Sequence, residues 1–433
     1  MSDPVFGFIS FLLLLLLIAC RIPVAIAMGT VGVIGGMIVN GFSSVSFIVG
    51  SLPFETVFPY GLSVVPLFIL MGVIAAQAGL SKDLYQATQA FVGHFKGGLA
   101  MSTVGACAAF GSICGSSLAT VATMARVALP EMKKANYDEN FAAATVAAGG
   151  TLGVLIPPSI IMVIYAILTE ESVGQMFAAA ILPGLLATIL YMLAIHYKVR
   201  FDPKSGPANP ALSYAQRIRA VISVWHVALL FSVVIGGIYI GWFSPTEAAA
   251  VGVLGALVLA VIKQKMTIAL VQNAMLETAS ISGMIFLILV GTSLFNFFIE
   301  STMLPQVLVE WVTGLDINRY IVLLILLLFF IVLGMFMDAL SMILLTLPFV
   351  FPLITSLDFN PIWFGILMVS VVEIGLITPP VGMNLFILIG IDKKLHIAAV
   401  SKAIILFVIA DIIRIGVLIV LPELSLWLPS RML

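Results

Sequence analysis

The chain repeats itself at an offset of 222 residues. The stretch Gly153-Val154-Leu155-Ile156-Pro157-Pro158 returns as Gly375-Leu376-Ile377-Thr378-Pro379-Pro380, with 375 − 153 = 222 and 379 − 157 = 222. The same shift carries Pro23 onto Pro245, Pro130 onto Pro352 and Ser116 onto Asp338. A further match, Pro207 with Pro429, falls in loop and tail and reads as accidental. The repeat lies in 433 residues that are 62% hydrophobic and only 9% charged, where a soluble domain carries about 25% charged residues. A chain this apolar must close its backbone hydrogen bonds inside lipid, and its long uncharged runs do so as membrane-spanning helices. In such a chain, paired Gly/Pro interruptions in corresponding halves point to a transport site.

Five crossings are expected in each half, each near the ~20 residues a bilayer requires. The first five fall at about 4–20, 23–40, 61–79, 141–168 and 174–197, and the second five at about 224–243, 245–262, 276–298, 361–391 and 397–421. The organisation is thus a first repeat over 1–197, a basic linker over 198–223 and a second repeat over 224–433. Lys198, Arg200, Lys204, Arg217 and Arg219 crowd the linker and place it in the cytoplasm. Counting outward, Arg21, Lys82, Lys96, Lys133, Lys134, Lys263, Lys265, Lys393 and Lys394 fall on the same side. Arg319 and Arg431 fall on the other side, as do both chain ends. An odd number of crossings per half makes the repeats inverted.

Two further apolar stretches, 100–130 and 319–354, lie between the third and fourth crossings of each half. A single crossing by 100–130 would split the basic residues between both faces. It therefore reads as a re-entrant hairpin entered from the cytoplasm, and 319–354 as one entered from outside. A turn at membrane depth is tolerated only inside protein or along a wet cavity, so the two tips are expected to meet near the midplane.

The first tip is Gly111-Ser112-Ile113-Cys114-Gly115-Ser116-Ser117, rich in hydroxyls and small residues. The second, Gly334-Met335-Phe336-Met337-Asp338-Ala339-Leu340-Ser341, carries an intramembrane carboxylate, a functional-site hypothesis by default. Asp338 is weighed against a plain helix cap or ion-pair partner, and the glycines and serines against close helix packing. Each Pro-Pro removes backbone N–H groups and frees carbonyls upstream. Carbonyls near Gly153–Ile156 and Gly375–Thr378, with the tip oxygens, make an oxygen-only cage that suits Na⁺. The half-helices restarting at Ser159 and Val381 present positive dipole ends to a carboxylate, with Asn384 one turn further on. Glu373 either faces this cavity or pairs with a neighbour.

The remaining features read as structural. Ser244-Pro245-Thr246-Glu247 matches a capping box. Asp411 and Arg414, three apart, read as an internal ion pair. Gly32 and Gly36 read as a helix-packing motif, and 80–97 as an amphipathic segment on the cytoplasmic surface. The run Phe6–Ala19 has no basic stretch before it and reads as membrane helix instead of a signal peptide. Cys20, Cys107 and Cys114 fit no zinc or redox spacing. His94, His196, His226 and His396 form no cluster, so no transition-metal site or other cofactor is expected, and a net charge of −1 implies no nucleic-acid partner.

Together, the two tips, Gly153-Val-Leu-Ile-Pro-Pro-Ser and Gly375-Leu-Ile-Thr-Pro-Pro-Val-Gly-Met-Asn resemble the large membrane subunit of tripartite ATP-independent periplasmic (TRAP) transporters. The resemblance covers nearly the whole chain. It implies an all-α polytopic fold whose hairpin domain moves like an elevator, in the bacterial inner membrane. It implies import of an organic acid driven by a Na⁺ gradient. The partners it implies are a small four-helix membrane subunit, expected as a separate chain, and a periplasmic binding protein that delivers the acid. One Na⁺ site would use Ser112, Gly115, Ser116 and Ser117 with Gly153, Ile156 and Pro157. The other would use Gly334, Met337 and Asp338 with Gly375, Thr378 and Pro379. Substrate would lie between the tips, near Ser117, Ser159, Ser341, Glu373 and Asn384. A C4-dicarboxylate and a sialic acid both suit a cationic, hydroxyl-lined cavity. The alternative is a stand-alone Na⁺- or H⁺-coupled carboxylate symporter. An ion channel fits two dissimilar tips less well, and an intramembrane enzyme lacks a partner carboxylate for Asp338.

Overall fold

A computed structural model describes residues 3–432, and no strand occurs among them. The first half runs α1 (Asp3–Ala19), α2 (Val24–Asn40), α3 (Phe42–Val57), α4 (Val64–Gln77), α5 (Leu80–Val92), α6 (Gly98–Cys114), α7 (Ser117–Lys134), α8 (Glu139–Leu155), α9 (Ile160–Leu168) and α10 (Val173–Phe201). The second runs α11 (Tyr214–Tyr239), α12 (Pro245–Ile262), α13 (Ile268–Ser301), α14 (Leu304–Gly314), α15 (Arg319–Gly334), α16 (Ala339–Ser356), α17 (Pro361–Ile377), α18 (Met383–Ile391) and α19 (Ile397–Val420), with a last short turn α20 (Glu423–Leu426).

The offset of 222 maps one half onto the other. It carries α8 onto α17 residue for residue, since 139 + 222 = 361 and 155 + 222 = 377. Hairpin α6–α7 maps onto α15–α16, the restarts α9 and α18 onto each other, and the amphipathic α5 onto α14. One pair differs in form. Shifting α3 (to 264–279) and α4 (to 286–299) lands both on the single helix α13. The first copy is interrupted at Pro59 and a 3-10 turn, Tyr60–Ser63. The second has Ile281 at the position of Pro59 and no proline between Ile268 and Ser301, so nothing stops it.

Of the ten expected crossings, seven coincide with helices long and apolar enough to span a bilayer. The other three, α1, α2 and α17, are 17-residue apolar helices, still within the usual range. Several expected boundaries are corrected. The linker 198–223 is loop only over 202–213. Helix α10 runs on to Phe201, and α11 begins at Tyr214 because Ser213 and Gln216 form a capping box. Helix α13 starts eight residues before the expected crossing, where the Thr267 side chain accepts a hydrogen bond from the Leu270 N–H. Helices α3 and α14 were not expected at all. The first contains Pro53 and four serines that mask its pattern, and the second is too short and amphipathic to read as a crossing.

The layering follows from side-chain size. Every residue from Phe141 to Leu155 of α8 and from Ile362 to Ile377 of α17 is buried, which puts the two broken helices at the centre. Helix α8 is rich in Ala and Gly, and small residues let neighbouring backbones approach. Helices α2, α4, α11, α12 and α13 form a wall beside them. An alanine methyl at Gly32 would lie 2.6 Å from α13 backbone, and one at Gly35 would strike the Phe298 ring, so α2 lies tightly on α13. Outward faces of the wall carry exposed Ile, Leu and Phe, as lipid contact requires. The Ser244–Glu247 capping box is present, and Asp83 of α5 pairs with Lys263 after α12.

Candidate functional site

The hairpin tips are built by the same device. At the first, Gly115 ends α6 in the left-handed region (φ 64°) and its N–H donates to the Gly111 carbonyl. Ser116 then caps α7, its hydroxyl accepting from Ala119 N at 3.4 Å. At the second, Asp338 caps α16, with Oδ2 accepting from Ser341 N at 3.0 Å and Oδ1 from the Ser341 hydroxyl at 2.5 Å. Ser116 and Asp338 are thus one structural position, a helix N-cap, filled by a neutral group in one repeat and a charged group in the other. The cap reading of Asp338 holds, and its carboxylate still lines the cavity between the tips.

Both breaks have the same backbone. Ile156 ends α8 at φ −85°, ψ 125°, and Thr378 ends α17 at φ −97°, ψ 132°. The residues four beyond Gly153 and Val154 are Pro157 and Pro158, and those four beyond Gly375 and Leu376 are Pro379 and Pro380. These four carbonyls therefore lose their α-helical donors; Gly375 O recovers one from Thr378 N at 3.1 Å. The two breaks differ in exposure, since Pro157 and Pro158 are buried while Pro379 and Pro380 are exposed. Ser159 caps α9 with its hydroxyl, whereas α18 starts at Gly382 without a side-chain cap.

Glycine pairs bring each hairpin onto its break. A methyl added to Gly111 would lie 2.4 Å from Gly153 Cα, and one on Gly375 would lie 2.5 Å from Gly334 Cα. This contact gathers oxygens. Around Gly153, a methyl would meet Thr120 Oγ1 at 2.7 Å and Ser116 O at 3.2 Å; around Gly375 it would meet Gly334 O at 2.9 Å. Across the tip, a methyl on Gly115 would lie 2.8 Å from Pro158 O. Thr120 is not among the residues the sequence motifs point to. Its hydroxyl donates to Ser116 O at 2.7 Å, and the signal was its place one turn beyond the cap.

Ser112 turns its hydroxyl onto its own helix, donating to Ala109 O. Ser117 and Asn384, both expected at the substrate, are buried against each other. The Asn384 amide nitrogen donates to Ser117 Oγ at 2.9 Å and to Ala147 O at 3.1 Å, so it joins α18 to α7 and α8. Ser341 is occupied by Asp338. Glu373 does not face the cavity, because Arg414 draws it away: Nη2 lies 3.0 Å from Glu373 Oε2 and 3.1 Å from Asp411 Oδ1. Tyr191 donates to Asp411 Oδ2 at 2.7 Å, with Thr151 3.3 Å from its hydroxyl. Glu373, Asp411 and Arg414 are fully buried. Thr151 and Glu373, equivalent under the repeat, thus belong to one polar network behind the breaks.

A cavity of about 130 Å³ lies between the tips and the wall. It is lined by Cys114–Ala119, Asp338–Leu340, Val154 and Leu376, and closed by Ile69 and Val73 of α4 and by Glu277 and Ile281 of α13. None of its lining side chains is Lys, Arg or His, which corrects the expectation of a cationic cavity. The starts of α7, α9 and α16 lie around it, so the donors it offers are backbone N–H groups at helix N-termini.

Residues 11–424 match the family described as "Tripartite ATP-independent periplasmic transporter, DctM component". The chain belongs to this family. Among its relatives, the C4-dicarboxylate TRAP transporter large permease protein DctM of Pseudomonas aeruginosa is 36% identical, over 87% of this chain and 88% of its own length. The ectoine large permease TeaC of Halomonas elongata is 33% identical over 94% and 95%, and the sialic acid large permease SiaM of Vibrio cholerae 29% over 86% and 87%. The crystal structure of the Alcanivorax borkumensis YdaH transporter shares the fold, with a TM-score of 0.65 at 15% identity over 99% of this chain and 98% of that one. Neisseria gonorrhoeae MtrF gives 0.58 over 88% and 85%. This TRAP permease is therefore a multi-pass inner-membrane protein of inverted repeats.

Proposed function

We propose that this permease imports a small organic acid together with Na⁺, and that it receives the acid from a periplasmic binding protein while joined to a small four-helix membrane subunit. The single observation that carries the reading is the cavity between two hairpin tips, each tip pressed by a glycine pair onto a Pro-Pro break whose carbonyls lack helical donors. Such oxygens suit a hard cation, and the N-termini around them suit a carboxylate. One Na⁺ is assigned to Ser116 O, Thr120 Oγ1 and the Gly153 break, and a second to Asp338, Gly334 O and the Gly375 break. The relatives carry C4-dicarboxylates, ectoine and sialic acid, so this chain's substrate belongs with small acids of that range. The basic linker supports a cytoplasmic loop between the halves and, with it, periplasmic chain ends. The helices of the two hairpins and breaks move as one body against the wall, in the manner of an elevator.

The test is thermal unfolding of the purified permease in NaCl, KCl and choline chloride at equal ionic strength, for wild type and Asp338→Asn. A ligand that binds only the folded state stabilises it by RT ln(1 + [L]/Kd). Na⁺ alone should raise the midpoint, and Asp338→Asn should lose part of that rise. Equal midpoints in all three salts would remove Na⁺ coupling from the proposal.

A further inference from the structure

Behind the two breaks lies a charge that the membrane interior leaves uncompensated. Glu373, Asp411 and Arg414 are fully buried, and Arg414 is the only buried cation among the described residues. Its Nη2 lies 3.0 Å from Glu373 Oε2 and 3.1 Å from Asp411 Oδ1, so one guanidinium serves two carboxylates. Glu373 Oε1 accepts no hydrogen bond among the described residues. Buried charges persist when they are paired, and this group is one positive charge short.

The repeat sets where the excess lies. Thr151 and Glu373 each precede a break glycine, Gly153 or Gly375, by two residues. Two helical residues turn the chain by about 200°, so each side chain leaves on the face away from its glycine. On that face of α8, Thr151 meets the Tyr191 hydroxyl, which in turn donates to Asp411. Glu373 lies beside the backbone of Leu155, at the end of α8. The network therefore backs the first break as well as the second. The two ion sites assigned above differ in their own charge. The second includes Asp338, whereas Ser116 O, Thr120 Oγ1 and the Gly153 break offer only neutral oxygens. In both repeat pairs, Ser116 with Asp338 and Thr151 with Glu373, the charged member belongs to the second half.

We propose that the excess carboxylate of the Glu373–Asp411–Arg414 network is the counter-charge of Na⁺ at the first tip, acting across α8. This rests on the proposed Na⁺ coupling. Ion and network lie on opposite faces of one helix, on the order of 10 Å apart. In surroundings of effective dielectric about 20, a unit charge at that distance changes an ion's affinity about tenfold. Na⁺ in turn brings the network the positive charge it lacks.

The test titrates NaCl against choline chloride at constant ionic strength and reads the apparent Na⁺ affinity from the unfolding midpoint. The parents are wild type and Asp338→Asn, in which the first site alone keeps its ligands. Glu373→Gln and Asp411→Asn each keep the side chain's shape and remove one negative charge. In the Asp338→Asn parent, each should weaken Na⁺ about tenfold and the two together about a hundredfold. Tyr191→Phe removes a neutral hydrogen bond and no charge, so it should lower the midpoint in both salts and leave the apparent Na⁺ affinity at the parent's value. A network that only braced the fold would move midpoints in both salts and leave the affinity alone in every variant. Charge-removing variants that keep the parent's affinity overturn the proposal, as does a Tyr191→Phe protein that loses as much as they do. An Asp338→Asn protein with no Na⁺ response overturns it too, because the first site then binds no ion. Equal wild-type midpoints in the two salts refute the Na⁺ reading itself, whereas a wild-type Na⁺ rise kept in full by Glu373→Gln and Asp411→Asn refutes this inference alone.

Discussion

Replacing Gly375 by alanine tests whether the close approach of hairpin and break forms the proposed second Na⁺ site. The added methyl would lie 2.5, 2.6 and 2.9 Å from the Cα, C and O of Gly334, all backbone atoms that no rotamer can move. Ordinary contact begins at 3.4 Å, so α15 must retreat by 3.4 − 2.5 = 0.9 Å. Overpacking of this kind costs about 1–3 kcal/mol of stability in any salt. The effect on the ion is separable, because metal–ligand distances hold within about ±0.2 Å and a retreat of 0.9 Å takes Gly334 O out of range. At Na⁺ a hundredfold above Kd, binding contributes about 2.7 kcal/mol; a site weakened a hundredfold keeps about 0.4 kcal/mol. The assay is the difference between unfolding midpoints in NaCl and KCl, which cancels the packing cost. Gly334→Ala, whose methyl meets Gly375 Cα at 3.1 Å, should lose less of that difference, and Gly390→Ala, with nothing within 4 Å, should lose none. A Gly375→Ala protein that keeps the full Na⁺-specific difference, or a series that ignores this ranking, would refute the argument that backbone contact builds the site.

Two other substitutions probe the braces behind the breaks. Arg414→Met should destabilise the protein by about 3–5 kcal/mol, since it leaves Glu373 and Asp411 buried without a counter-charge; denaturation midpoints should recover most of the loss when Glu373→Gln and Asp411→Asn are added. Asn384→Leu should cost about 1–3 kcal/mol by stranding the Ser117 hydroxyl, which loses its only side-chain partner among the described residues. Its protease resistance should fall most around α18, whereas uniform loss would argue against a local brace.

The parts of this fold legible in the sequence are those written in local rules. Proline pairs, glycine at a left-handed turn, a serine or aspartate at an N-cap and a capping box each act within four residues, so both breaks, both tips and the start of α12 were readable. The repeat then doubled every weak signal. What was not readable depends on residues far apart in the chain. Glu373 meets Arg414 across 41 positions, and Tyr191 meets Asp411 across 220, so spacing could not say that Glu373 turns its back on the cavity. Asn384 follows a break and so reads as a ligand, yet it meets Ser117 across 267 positions. With the crossing expected to begin at 276, Glu277 lies at its edge; the earlier start of α13 puts it more than two turns into the helix, where it lines the cavity and remains exposed.

The interruption at Pro59 has a consequence for direction. A chain whose two inverted halves were identical would look the same from either side of the bilayer, and its opening toward each side would be equally easy. Here one wall segment is a single rod of 34 residues and its counterpart is two shorter rods with a joint. Under the proposed Na⁺ coupling the gradient decides which way net flux runs, while the jointed wall and the straight one present it with unlike backbones. The asymmetry between the two halves is thereby written into the backbone at one proline, and Ile281 is where the other copy lacks it.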